Sequence, residues 1–143
     1  MTQIYLSGAL SEADDPFEWH DEIQDSDRWD EYTFVNPYTL NDFDLGDDTI
    51  YEKPEKVVEP ALSELSESDG LFVRWDDAAF HIGTTMEIKH AWENDIPVVI
   101  WYDGYMDNLS PWLDHTTRGV FSNRNKALSV LLGFADTEFD FSK

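Results

Sequence analysis

Gly83-Thr84-Thr85-Met86-Glu87 sits between two strand-like runs, Gly70-Leu71-Phe72-Val73 and Ile96-Pro97-Val98-Val99-Ile100-Trp101. A Gly-Thr turn that follows a strand and opens a helix puts Glu87 in the first turn of that helix. In an open α/β sheet this position is the mouth of the ligand crevice, beyond the carboxyl ends of the strands. A carboxylate there can attack an electrophilic carbon and hold it as an ester. The same residues also have the form of a capping box, with Thr84 as N-cap and Glu87 bonding back to its backbone amide. The catalytic reading requires other groups to converge on the same mouth. Tyr5 and Ser7-Gly8, at the end of a first strand, are candidates, because sequential strands of such folds lie side by side. A buried tyrosine is also ordinary core material, so Tyr5 alone decides nothing. His81, two residues before Gly83, is the histidine placed to face a ligand. His20, His90 and His115 complete a set of four with no metal-binding spacing, and His90 reads as helix surface.

Other chemistries are disfavoured. Ser7-Gly8-Ala9 lacks the lysine and glycine spacing of a phosphate loop, and no G-x-G-x-x-G is present, so neither ATP nor NAD is expected. Asp42, Asp44 and Gly46 superficially suggest calcium, but the twelfth position of that frame is Lys53, where an EF-hand needs a glutamate. There are no cysteines, which removes disulfides, thiolate catalysis and zinc-thiolate sites. No cofactor and no metal are expected.

The elements that must position these residues can be read from periodicity and breakers. Ile4-Tyr5-Leu6 is a first buried strand. Asp14 to Arg28 is a helix, with Pro16 near its first turn and Trp19 and Ile23 on one face. Tyr32 to Val35 is a second strand, stopped by Asn36-Pro37, and a polar loop spans Asn41 to Asp48. Pro54 opens a helix with an inward stripe of Val58, Ala61, Leu62 and Leu65. Leu71 to Trp75 is a third strand. Thr84 to Asn94 is a helix with Ile88, Ala91 and Trp92 inward, and Pro97 to Tyr102 a fourth strand. Gly119-Val120-Phe121 is a short fifth strand, and Lys126 to Leu132 a closing helix carrying Leu128, Leu131 and Leu132. The alternation predicts a single α/β domain over residues 1–136, a doubly wound parallel sheet covered on both faces. The acidic segment 137–143, with Phe139 and Phe141, is a tail that frays or packs on a neighbouring subunit.

With 143 residues the chain suffices for one domain. Asp and Glu number 31 against 9 Lys and Arg, a formal net charge of −22. Such a chain repels nucleic acid and anionic membrane. The acids are spread throughout and lysine is scarce. Molar salt shortens the Debye length to about 3 Å, so the pattern is expected of a salt-rich cytoplasm, in a halophilic host or its virus. An ordinary acidic protein and an acidic DNA mimic are the alternatives; the core-like spacing of the aromatics weighs against the mimic. Met1-Thr2-Gln3 lacks the basic start and apolar stretch of a secretory signal, and no apolar run approaches the ~20 residues of a bilayer span. A cytoplasmic location is expected.

The ordered set Ile4-Tyr5-Leu6-Ser7-Gly8, Val35-Asn36-Pro37, Ser68-Asp69-Gly70-Leu71, Gly83-Thr84-Thr85-Met86-Glu87-Ile88 and Ile96-Pro97-Val98-Val99 resembles the nucleoside 2-deoxyribosyltransferase superfamily. Ser110-Pro111-Trp112-Leu113, followed by Gly119-Val120-Phe121 and Lys126-Ala127-Leu128, is similar to its phage-type branch. The likeness covers roughly residues 3 to 132. It implies a five-stranded flavodoxin-like (Rossmann-like) sheet, a homo-oligomer with sites near subunit contacts, and transfer or hydrolysis at an N-glycosidic bond. It places Glu87 on the family's nucleophile and Tyr5 on the tyrosine that positions it. The expected substrate-binding residues are Ser7, Gly8, His81, Gly83, Thr84, Trp75 and Trp112, and Trp101 is a further candidate for stacking on a base. Tryptophan at strand ends is equally ordinary core or interface material. Two departures stand out. A proton-handling Asp of the family, eight residues ahead of the position of Asp69, is here Ala61. Another Asp, two residues before the Gly-Thr, is here His81, which could bond a sugar hydroxyl or protonate the leaving base. Asp69 itself starts the third strand and reads as structural.

A 5′-phosphate wants Arg, Lys or a run of free amides. The segment from Ala9 to Asp15 is acidic, and Arg74 and Arg118 are the nearby cations by topology. The expectation is an uncharged deoxynucleoside, exchanged with a free base. A nucleotide N-glycosidase is the same-fold alternative. A non-catalytic nucleoside- or nucleotide-binding protein, suggested by Ala61, is the alternative from another class.

Overall fold

Strand β1 (Gln3–Gly8) buries both of its faces, Ile4 and Leu6 on one side and Tyr5 and Ser7 on the other. Two-sided burial marks a parallel strand covered by helices above and below. The computed structural model, which describes residues 2–8, 18–36, 54–77 and 81–136, surrounds β1 with four more strands: β2 (Thr33–Val35), β3 (Gly70–Asp76), β4 (Val98–Asp103) and β5 (Gly119–Phe121). All pairings are parallel and the order is β2-β1-β3-β4-β5. This is a doubly wound, flavodoxin-like α/β sheet; the alternation predicted the parallel sheet covered on both faces, and the resemblance implied its five-stranded flavodoxin-like form. Its topological switch point lies between β1 and β3, where the crevice outside the carboxyl ends is the ligand position of such sheets.

Helices α1 (Glu18–Gln24) and α5 (Arg124–Ala135) cover one face, with Trp19, Ile23, Leu128, Leu131 and Leu132 packed on Ile4, Leu6, Phe72 and Val99. Helices α2 (Glu55–Ser66), α3 (Ile82–Glu93) and α4 (Pro111–Thr116) cover the other, where Leu65, Ile88, Ala91 and Leu113 meet Tyr5, Leu71, Val73 and Ile100. Burial of the Leu, Ile, Val and Phe side chains among these contributes roughly 1.5–3 kcal/mol each.

Several local expectations change. The helix foreseen over Asp14 to Arg28 is α1 followed by a separate 3-10 turn, Asp27–Trp29. Ser26 intervenes, its Oγ accepting from the Arg28 amide at 3.3 Å, and such local capping competes with helix continuation. In α2 the stripe is partial: Leu65 is buried, Ala61 and Leu62 are half-buried, and Val58 is exposed. Trp92 is 45% exposed and not inward; it lies at the edge of α3, edge-on to His115 with ring centroids 6.1 Å apart. Helix α4 was not foreseen, although Ser110 as N-cap and Pro111 in the first turn are its ordinary start signals. The start of the first helix at Asp14 and Pro16, the Asn41 to Asp48 loop with its superficial calcium pattern, and the tail with Phe139 and Phe141 lie outside the described residues. No helix among the described residues is long and apolar enough to cross a membrane.

Candidate functional site

Register along the sheet sets the site. Tyr5 pairs with Leu71 and Ser7 with Val73, so Tyr5 and Ser7 share the α3 face at the carboxyl half of β1. Helix α3 starts at Ile82 with His81 as N-cap. Thr84 and Glu87 are three residues apart and therefore on one face of α3, the face turned to β1.

This start overturns the capping-box reading. Thr84 lies inside the helix, and Glu87 is in its second turn and not its first. The first turn is instead closed by the His81 carbonyl, which accepts from the Thr85 amide at 2.8 Å and from Thr85 Oγ1 at 2.6 Å. Gly83 is within the helix and forms no turn; a methyl group there would meet nothing within 4 Å. With their backbone needs met elsewhere, Thr84 and Glu87 turn to β1. Ser7 Oγ donates to Glu87 Oε1 at 2.8 Å and lies 3.2 Å from Thr84 Oγ1.

Glu87 is half-buried, with its carboxyl end enclosed. Burial pushes its pKa above the ordinary carboxylate value, and hydrogen bonding from Tyr5 and Ser7 pulls against that shift. Oε2, the oxygen that Ser7 does not hold, is buried. Ser7 fixes one oxygen, and Tyr5 bears on the same carboxyl.

His81 is 7% exposed. Its ring stacks on Trp75, centroids 4.0 Å apart and planes 19° apart. Nε2 contacts the Asp76 backbone, 2.8 Å from its carbonyl oxygen and 3.2 Å from its amide, while Nδ1 is buried without a partner. Trp75 is therefore the wall against which His81 is fixed. Trp112 is 79% exposed on α4. Trp101 lies on the opposite face of the sheet, packed edge-on against Trp19 at 6.2 Å.

Gly8 has a packing reason: a Cβ there would stand 3.1 Å from Trp19 Cζ2 and 3.3 Å from the Arg74 carbonyl oxygen. Arg118 does not reach the carboxyl edge. Its amide bonds the Val98 carbonyl at 2.7 Å, at the amino end of β4, and with Trp92 and His115 it lines a cavity of about 170 Å³ there.

Two features escaped sequence reasoning. Tyr102, buried in β4, donates to the Asp77 carboxylate at 2.7 and 2.8 Å, tying down the start of the β3–α3 connection. Burial and the Asp77 carboxylate push the Tyr102 hydroxyl up to about 12. His20 is 2% exposed. Burial lowers its pKa to about 4; a side-chain bond with Asn36 opposes that shift and the charge of Arg74 adds to it. No sequence signal pairs His20 with Asn36, since the contact joins α1 to the end of β2. Among the described residues, no three His, Asp or Glu side chains are grouped as metal ligands.

No protein-family model and no curated protein matches the chain. Among solved structures it is similar to a 2-deoxyribosyltransferase from the psychrotolerant bacterium Bacillus psychrosaccharolyticus. The TM-score is 0.70 at 17% identity, over 99% of this chain and 94% of that one. At this identity the likeness shows a shared fold.

Proposed function

We propose that the chain acts on the N-glycosidic bond of a 2′-deoxynucleoside unit, with Glu87 as nucleophile, in the manner of a nucleoside 2-deoxyribosyltransferase. The observation that carries the reading is the Glu87 carboxyl at the switch point, with Oε1 held by Ser7, Oε2 enclosed beside it and Tyr5 bearing on the same group. The fold shared with a 2-deoxyribosyltransferase supports it.

In the proposed reaction Oε2 attacks C1′ of the deoxyribose. The C1′–N bond breaks, its electron pair leaves with the base, and a glycosyl ester of Glu87 forms. A second base, or water, then attacks C1′ and returns the carboxylate, giving net retention. Ser7 and Tyr5 favour the charged carboxylate before attack and limit its rotation. The departing base needs a proton. Ala61, half-buried on α2, offers none, and His81 Nδ1 is the buried ring nitrogen available at the start of α3. Supply of that proton by a positioned acid contributes typically 10²–10⁴-fold.

Homo-oligomerisation is part of the proposal. Ile82, Met86, Tyr105 and Trp112 are 75%, 68%, 78% and 79% exposed, on or beside the elements that begin at the carboxyl edge of the sheet. Sedimentation of a monomer at all concentrations would remove this element.

The test is base exchange. A deoxynucleoside is incubated with a free acceptor base in molar potassium chloride and the products are separated by chromatography. Exchange supports transfer, release of base without exchange supports hydrolysis, and ligand binding with neither supports a binding protein. Turnover that survives Glu87→Ala would overturn the nucleophile assignment.

A further inference from the structure

Three side chains meet where β1 ends against α3. Ser7 Oγ stands 2.8 Å from Glu87 Oε1 and 3.2 Å from Thr84 Oγ1. Ser7 is 2% exposed and Thr84 4%, so both hydroxyls are shut off from bulk solvent. A hydroxyl carries one proton and two lone pairs, and an ionised carboxylate only accepts. The order of donation follows from that count. When Glu87 is charged, the single Ser7 proton goes to Oε1, the shorter contact and the stronger acceptor. Ser7 Oγ is then left to accept, and the Thr84 hydroxyl is the donor facing it. Hydrogen bonds in series polarise one another, so a Ser7 that accepts from Thr84 is a better donor to Glu87.

The two adjacent threonines of α3 are used differently. Thr85 Oγ1 donates within its own helix, to the His81 carbonyl at 2.6 Å. Thr84 turns to β1 instead. Threonine is a mediocre helix former, and a buried hydroxyl costs stability unless it is bonded; the contact with Ser7 offsets that cost. Among the described residues the Glu87 carboxyl is tuned by its burial, by Tyr5 and by Ser7. Other titratable groups stand on the elements packed against α3. Strands β3 and β4 end in the Tyr102–Asp77 pair. Helices α2 and α4 meet α3 further along, where His90 bonds Ser66 and His115 lies against Trp92. His81, at the N-cap, is fixed on Trp75 and the Asp76 backbone.

We propose that Thr84 is a positioning residue for Glu87: its hydroxyl donates to Ser7 Oγ, commits the Ser7 proton to Oε1, and so favours the ionised, oriented carboxylate. It acts through Ser7 and touches no reacting atom. This departs from the substrate contact expected of Thr84, and it rests on the reading of Glu87 given above.

The experiment is a pH titration of the Glu87 carboxyl carbon by carbon-13 NMR, its signal identified by its loss in Glu87→Gln. Molar potassium chloride screens the surface carboxylates throughout. An indirect bond is worth less than the direct one, so in Thr84→Val the carboxyl should hold its proton roughly 2- to 5-fold more tightly. Thr84→Ser, which keeps the hydroxyl, should titrate like the wild type. In a double-mutant cycle, Ser7→Ala/Thr84→Val should titrate like Ser7→Ala alone, because the route through Ser7 is already cut. Circular dichroism verifies each fold, and Thr84→Ala replaces Thr84→Val if the latter does not fold. An unmoved titration in Thr84→Val overturns the proposal. A titration moved to lower pH also overturns it, by showing that Thr84 competes with Glu87 for the Ser7 proton. A shift of the same size in Thr84→Ser, or one that persists in the Ser7→Ala background, overturns it by making packing the cause. The titration needs no substrate, so its outcome is independent of the Glu87 chemistry. A protein that releases no base but shows the Ser7-dependent shift sinks the glycosyl reading and leaves the hydroxyl chain standing. In a protein that turns over, the acid limb of kcat/KM moves with the titration.

Discussion

Ser7 Oγ and Glu87 Oε1 are 2.8 Å apart across 80 residues of sequence. This bond joins the end of the central strand to the second turn of the helix that follows the neighbouring strand. It turns a helical glutamate into a fixed carboxyl at the switch point of the sheet. Removing it tests how much of the site depends on orientation.

Ser7→Ala leaves Oε1 without its donor. A hydrogen bond to a charged group is worth about 1.5–3 kcal/mol, so kcat/KM falls roughly 10- to 100-fold. The Glu87 pKa rises further, because a bond that favours the carboxylate is gone while burial remains. The acid limb of the pH–rate profile moves to higher pH. An unmoved limb counts against Ser7 as the positioning group.

Glu87→Gln separates chemistry from stability. The folded-state pKa of Glu87 is raised above the value of the unfolded chain. Between those two values the native state binds more protons than the unfolded one, so stability falls as pH rises through that window. The neutral amide has no such dependence. Melting curves from pH 4 to 8 should show the wild type losing ground to Glu87→Gln as pH increases, while turnover is abolished at every pH.

His20 works in the opposite direction. Its folded pKa of about 4 lies below the ordinary 6.5, so its contribution is present above pH 6.5 and is lost as pH falls towards 4. The ring should stay neutral at pH 5 by NMR titration. His20→Gln should lessen the acid-side loss of stability over that window. A ring that titrates near 6.5 contradicts its burial.

Gly104→Ala is expected to destabilise. A Cβ at that position collides with the Asp77 carboxylate, which must move off the Tyr102 hydroxyl. Overpacking of this kind costs about 1–3 kcal/mol, read as a lower urea midpoint with an unchanged m-value. Gly83→Ala meets open space inside a helix and should stabilise by roughly 0.5–1 kcal/mol.

The net charge of −22 predicts a melting temperature that climbs with potassium chloride from dilute buffer to molar concentration. Screening to about 3 Å removes long-range repulsion among carboxylates spread over the surface. Equal melting temperatures in the two buffers would be strong evidence against the salt-adapted setting.

The fold class was legible because apolar strand runs alternating with helix-period stripes have few topological solutions. Leu6, Phe72, Ile88 and Leu131 are buried where the pattern requires. Glu87, Ser7 and Tyr5 were also nameable, since a strand end and a following helix start mark the crevice of a parallel sheet. The local spacing Thr84-Thr85-Met86-Glu87, however, equally describes a capping box. That ambiguity was resolved only when α3 began at Ile82 and its face was set against β1. The roles of His81, Arg74 and Arg118 could not be read in one dimension either. His81 is defined by a ring stacked on Trp75. The two arginines are sorted to opposite ends of the sheet by strand direction and register. Short-range pattern determines which elements form, because periodicity and capping act over a few residues. Which hydroxyl meets which carboxyl, and which ring stacks on which, are distances between segments far apart in sequence, and packing alone sets them.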